Sequence, residues 1–129
     1  MGLRKTGAPS SLAALFMSRR EWKLFLADML EASGKINRYI TGMNFEGFQA
    51  DSRTVDAVVR NLEIIGEAAQ SIPVEIKQLR PAIDWAAIKG LRNRIVHEYF
   101  GLSLAIIWAI VSQDVPVLDG QLRDWMNEI

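Results

Sequence analysis

The chain has no cysteine and only one histidine among its 129 residues. The absence of cysteine excludes disulfides, thiolate nucleophiles and cysteine-ligated metal sites, and it is typical of the reducing cytoplasm, where we expect this protein to act. A single histidine cannot form a histidine metal site either. Together these absences argue strongly against structural zinc, whereas magnesium held by carboxylates stays compatible with the sequence.

Long apolar runs are missing as well. A membrane-spanning helix needs about 20 predominantly apolar residues, and the best candidate run, residues 102 to 111, is roughly half that length and amphipathic. We therefore expect no membrane association.

Charge is balanced, with 15 Lys and Arg against 15 Asp and Glu. This balance argues against a protein that coats nucleic acid along its length. A local basic cluster nevertheless falls within one short stretch, namely Lys77, Arg80, Lys89, Arg92 and Arg94. Such a cluster suits the docking of one phosphate, with Lys89 and Arg94 as candidate phosphate-binding residues, although a solvated helix face would carry the same charges.

Helical periodicity dominates the sequence, and no segment alternates steadily between apolar and polar residues. The predicted elements begin with a long helix over residues 19 to 39, a connection over 41 to 48, a helix capped by Asp51 or Ser52, and a short helix over 74 to 79. They continue with a central helix that Asp84 caps and that ends at Gly101, and with a last helix capped by Ser103. Pro116 should kink or split that last helix. Gly66 lacks bulk and allows close packing of the second long helix. We expect an all-α fold, an up-and-down bundle of four to five helices.

The first 16 residues differ from the rest, since they are rich in small residues and contain no acid. We interpret residues 1–16 as a tail that is disordered or precedes a native start at Met17, and residues 17–129 as the helical domain. The domain carries more apolar surface than so small a bundle can bury, including four tryptophans. This surplus favours a two-fold homodimer.

The predicted central helix contains the single histidine. Arg92 and His97 are five residues apart, which places them about 140° apart around the axis, whereas Asn93 and His97 lie one turn apart on a shared face. Tyr99 would lie almost above Arg92 if the helix extends that far.

An imidazole and a guanidinium together suit the cleavage of RNA without a metal. The imidazole can accept and donate a proton near neutral pH, and the guanidinium fits a phosphate or the phosphorane formed from it. Such a reaction benefits from separate base and acid groups, and a homodimer would supply the second histidine. Other readings stay open, because a histidine near a helix end can simply stabilise the dipole, Tyr99 can be a packed aromatic, and Asn93 can face solvent.

At these residues the chain resembles the HEPN superfamily and, within it, the HepT toxins. Their motif is arginine, four residues, histidine, one residue, tyrosine, and it stands here as RNRIVHEY over residues 92 to 99. The surroundings add specificity: Asp84-Trp85, Phe100-Gly101, Trp108, Asp114-Val115-Pro116, and NLEIIGEA over residues 61 to 68. The likeness runs from about Met17 to the last residue.

The resemblance implies a helical homodimer whose motifs meet at the interface, acting as a ribonuclease without a metal or another cofactor. By position, Arg92 and His97 would be catalytic, with Asn93 as the polar second residue of the motif. The family's usual partner is a small MNT-type nucleotidyltransferase antitoxin. In some members this partner transfers an adenylyl group from ATP to the motif tyrosine, here Tyr99.

Our leading hypothesis is therefore an RNA endonuclease toxin neutralised by such a nucleotidyltransferase. The alternative is a catalytically inactive accessory subunit that binds a nucleotide or the partner enzyme. A third hypothesis, a structural helical adaptor, would tolerate loss of the basic cluster.

Overall fold

The computed structural model describes the backbone of residues 8–98 and 102–129, and the side chains of residues 21–97 and 102–129. The elements are α1 (Ala8–Tyr39), α2 (Phe45–Ala50), α3 (Ser52–Ser71), α4 (Val74–Lys77), α5 (Trp85–Glu98), α6 (Leu104–Ala109), a π-helical turn (Ile110–Asp114) and α7 (Val115–Glu128). No strand occurs within these residues, which confirms the predicted all-α fold. In the same part of the chain, no helix has both the length and the apolar character needed to cross a bilayer.

The core forms where α1 packs along α3 and α7, and α5 packs mainly on α3. Buried side chains recur at three- and four-residue spacing, as expected for helices that bury one face. On α1 and α3 these include Leu26, Met29, Ile36, Val58, Leu62 and Ile65. Each such side chain stabilises the fold by roughly 1.5–3 kcal/mol relative to an exposed position.

Three tryptophans form a cluster at one end of the bundle. The rings of Trp22 and Trp125 stack at 5.4 Å, and Trp85 meets Trp125 edge-on at 6.2 Å. The Arg80 guanidinium lies 5.2 Å from the centre of the Trp125 ring and pairs with Glu128. The cluster therefore joins α1, α7 and the start of α5.

The last helix is interrupted as its sequence predicts. A π-helical turn, Ile110–Asp114, precedes α7, whose first turn contains Pro116. Proline has no N–H to donate, and its ring clashes with the carbonyl four residues earlier. The wider turn accommodates this residue without ending the helix.

The connection predicted over residues 41 to 48 is wrong in its second half, because α2 begins at Phe45. The Asn44 side chain accepts a hydrogen bond from the Gly47 N–H at 2.8 Å and so caps this helix. Phe48 is fully buried, and its ring lies 5.2 Å from that of Trp108. Tertiary burial of this one aromatic residue outweighs the glycines that favour a loop.

Helix α1 begins at Ala8, further towards the N-terminus than the predicted start at residue 19. Residues 1–7 lie outside the described part of the chain. The division into a tail of residues 1–16 and a domain of residues 17–129 stays a prediction.

Capping at Asp51 is confirmed and sets the start of α3. One carboxylate oxygen of Asp51 accepts from the Thr54 N–H at 3.1 Å, and the other accepts from the Thr54 hydroxyl at 2.8 Å. These hydrogen bonds, the hydroxyl's first, lower the pKa of Asp51 below its ordinary value. The cap thus sets where α3, the helix on which α5 packs, begins.

Candidate active site

Helix α5 carries the candidate site, and its start is held by two local hydrogen bonds. The Asp84 carboxylate accepts from the Ala87 N–H at 3.0 Å, as its predicted capping role requires. The indole N–H of Trp85 donates to the carbonyl of Arg80 at 3.1 Å. Further along, Ile95 is buried in the core. The inner face and the first turn of α5 are thus fixed, and its outer face is left exposed.

Helix α5 approaches α3 closely at Gly66 and Arg92. A Cβ atom at Gly66 would lie 2.4 Å from the Cβ and 2.6 Å from the Cγ of Arg92, well inside any real contact. The absence of a side chain at Gly66 therefore lets the stem of Arg92 lie directly against the backbone of α3. This confirms the close packing predicted from Gly66 and identifies the partner helix.

The guanidinium of Arg92 turns from this contact towards the next residue. Its Nη1 donates to the Asn93 side-chain oxygen at 3.3 Å, and its buried Nε has no hydrogen-bond partner among the described residues. Asn93 lies one turn before His97 on the same face. Although the stems of Arg92 and His97 point about 140° apart, Asn93 holds the guanidinium on the side of the helix that carries the imidazole.

The predicted site residues differ in exposure. Arg92 and Asn93 are half-buried, whereas His97, Lys89 and Arg94 are exposed. The imidazole of His97 is thus open to solvent, and the side chains of Arg92 and Asn93 are partly so. Tyr99 lies outside the described residues, so its position above Arg92 stays a prediction, and so does the helix stop at Gly101.

The outer face of α5 is lined by small side chains before it reaches the motif. Ala86 and Gly90 are exposed there, followed by Asn93 and His97 at helical spacing. Beyond its own helix turn, a Cβ at Gly90 would have no described atom within 4 Å. A second helix can therefore approach this face closely.

The sequence matches the family described as "Ribonuclease HepT-like" over residues 29–124. The chain belongs to the HepT-like ribonuclease family.

Several curated relatives whose names describe ribonucleases match most of the chain. A "Probable ribonuclease HepT" from Thermococcus cleftensis is 39% identical over 105 residues, which is 81% of this chain and 96% of the relative. A "Putative RNase" from Methanocaldococcus jannaschii is 37% identical over 107 residues, covering 83% of this chain and 98% of the relative. No solved structure matches the chain. The resemblance stated from the motif is thus confirmed as family membership.

The larger of the two cavities described among residues 21–97 and 102–129 lies beside the motif, and neither Arg92 nor His97 lines it. It is a groove of about 510 Å³ between α3, α5 and the last helix. Arg94 and Asp114 are among its polar lining residues. Most of the lining is apolar and consists of Leu62, Ile65, Ile88, Leu91, Ile110, Val115, Val117 and Leu118. Ile88 and Leu91 line this groove and are half-buried, because no helix in the described part of the chain covers it.

Proposed function

We propose that this chain is a metal-independent endoribonuclease in which Arg92 and His97 act on RNA. The observation that supports the proposal most directly is the Arg92–Asn93 hydrogen bond of 3.3 Å. It holds the guanidinium on the histidine side of α5, so that one phosphate could contact both side chains. Family membership supports the same class of reaction.

In the proposed reaction, His97 accepts the proton of a ribose 2′-hydroxyl. The 2′-oxygen bonds to the adjacent phosphorus, and Arg92 stabilises the negative charge of the phosphorane. The bond from phosphorus to the 5′-oxygen then breaks, and the 5′-oxygen takes a proton from a second histidine. The products are a 2′,3′-cyclic phosphate and a 5′-hydroxyl.

The second histidine belongs, in this proposal, to a second copy of the chain. His97 is the single histidine in the sequence, so one copy supplies one imidazole for proton transfer. The exposed Ala86 and Gly90 allow two α5 helices to cross closely, next to both histidines. A two-fold homodimer would therefore place two arginines and two histidines about one cleft.

The catalytic roles are tested by measuring RNA cleavage in EDTA with His97→Ala and Arg92→Ala. Each change should reduce the cleavage rate by at least about 100-fold, because it removes a proton acceptor or the stabilising charge. Arg38→Ala is the control, since Arg38 is exposed at the end of α1. Unchanged cleavage in both site variants would refute the proposed roles. No RNA cleavage by the unaltered protein, together with nucleotide or partner binding that depends on the basic cluster, would instead favour the inactive accessory subunit.

We further propose that the protein is the toxin of a toxin–antitoxin pair, with an MNT-type nucleotidyltransferase as antitoxin and Tyr99 as the adenylylated residue. Tyr99 follows His97 by two residues. An AMP group there would add bulk and negative charge where the RNA phosphate must bind, and inhibition follows from both.

The modification is tested by coexpressing the chain with such a nucleotidyltransferase and recording the intact mass. We expect the mass to increase by one adenylyl group and cleavage to be lost, and we expect Tyr99→Phe to prevent both. If the nucleotidyltransferase neutralised Tyr99→Phe as completely as the unaltered chain, adenylylation of Tyr99 would be refuted as the mechanism.

A further inference from the structure

A second, smaller pocket lies between α3, α4 and α5, on the side of α5 that carries Lys89. Its volume is about 160 Å³, below the roughly 300–1,000 Å³ typical of sites for whole drug-sized ligands. Its lining residues are Gly66, Ala69, Gln70, Lys77, Trp85, Ala86 and Lys89. The size suits one phosphate group better than a complete nucleotide.

Two ammonium groups share this pocket. The Nζ atom of Lys77 lies 5.6 Å from the centre of the Trp85 ring. Burial lowers the pKa of Lys77, and the positive charge of Lys89 lowers it further, so the two cations are close enough to repel each other. No carboxylate is among the residues that line the pocket in the described part of the chain. An anion would relieve this repulsion.

The pocket adjoins the proposed catalytic arginine. Gly66, which lines the pocket, is also the residue against which the stem of Arg92 packs. Lys89 precedes Arg92 by three residues on α5, a rise of ~4.5 Å along the helix axis. A strand of RNA whose scissile phosphate contacts Arg92 would therefore pass this pocket with a neighbouring phosphate.

We infer that the pocket binds a phosphodiester next to the one that is cleaved, held by the ammonium groups of Lys77 and Lys89 with the amide of Gln70 as an additional donor. The inference rests on the proposed ribonuclease function, because it places the pocket along the substrate strand. It assigns Lys77 and Gln70 to substrate binding, which the motif alone does not.

The test uses binding, so that it is independent of cleavage. Affinity for a fully 2′-O-methylated RNA is measured over a range of salt concentrations for the unaltered protein, Lys77→Gln and Lys89→Gln. Each variant should bind three- to tenfold more weakly and reduce the slope of log K against log salt by about 0.7, the value for one contact to a single-stranded phosphate. Lys77→Arg should restore most of the slope.

Lys23→Gln is the matched control. The Lys23 ammonium also lies over a tryptophan ring, 5.9 Å from the centre of Trp22, but Lys23 lines neither described pocket. Its slope should equal that of the unaltered protein. Replacing the phosphate next to the cleavage position by a neutral methylphosphonate should weaken RNA binding by the unaltered protein. The same replacement should hardly change RNA binding by Lys77→Gln.

Each outcome separates this inference from the proposed function. Unchanged salt slopes in both lysine variants would overturn the phosphodiester pocket, even if His97→Ala abolishes cleavage. Lysine-dependent binding of inorganic phosphate or AMP, without lysine-dependent binding of RNA, would overturn it as well. Lysine-dependent RNA binding by a protein that never cleaves RNA would support the pocket and refute the ribonuclease.

Discussion

At the scale of single residues, Gly66 decides where the arginine of the motif can lie. The motif spacing is readable from sequence, because five positions along a helix fix the angle between Arg92 and His97. The direction of the Arg92 stem is not readable, because it depends on how α5 packs on α3. Sequence identified Gly66 as a place of close packing but could not name Arg92 as its contact.

Gly66→Ala should therefore damage both stability and cleavage. The added Cβ would need to share space with the Cβ of Arg92 at 2.4 Å, so the two helices must separate locally. We expect a loss of about 1–3 kcal/mol in the free energy of unfolding, as for other overpacked sites. A displacement of the guanidinium by about 1 Å would reduce the cleavage rate by up to about 100-fold.

Gly34→Ala is the matched control for this prediction. Its Cβ would meet the nearest atom, Nη1 of the flexible Arg38 side chain, at 3.4 Å, which is an ordinary contact. In a helix interior this change should be neutral or stabilise the fold by up to about 1 kcal/mol. Denaturant unfolding and a cleavage assay measure both effects, and equal behaviour of the two alanine variants would contradict the close contact at Gly66.

At the scale of helices, capping was the most predictable feature. Asp51, Asp84 and Ser103 were each expected to cap from sequence, and each side chain accepts a backbone N–H three residues later. Caps are predictable because the donor and the acceptor are close in the chain. Helix α2 was missed because burial of Phe48 depends on residues far along the sequence.

The Asp84 cap gives a prediction for the site helix. Asp84→Ala should reduce the free energy of unfolding by about 1 kcal/mol, because the Ala87 N–H loses its acceptor, whereas Asp84→Asn should change it by only a few tenths. Urea unfolding followed by circular dichroism measures both. If asparagine proved as harmful as alanine, the charge of Asp84 and not its capping hydrogen bond would be the stabilising feature.

At the scale of the whole molecule, apolar surface is left uncovered around the site. Val117, which is 62% exposed, lines the groove of about 510 Å³ together with Arg94, and Val96, one residue before His97, is 44% exposed. Composition predicted this surplus but not its location, which depends on which faces the helices leave unpaired. Its position near the exposed face of α5 is consistent with the proposed homodimer.

Gly90→Glu tests that dimer without disturbing the single chain. A Cβ at Gly90 has open space, and so does one at Gly120 on α7, which makes Gly120→Glu the control. We expect the unaltered protein and Gly120→Glu to sediment as dimers, and Gly90→Glu to sediment as a folded monomer that no longer cleaves RNA. A dimer in all three cases would show that the copies associate through another face.

The tryptophan cluster has a consequence for the order in which the site is completed. Trp125 contacts Trp22, Trp85 and the guanidinium of Arg80, whose carbonyl accepts from the Trp85 indole at 3.1 Å. Helix α7 follows α5 in the chain and emerges later from the ribosome during synthesis. A nascent chain therefore cannot complete the packing around Trp85, at the start of the site helix, until translation has released its Trp125.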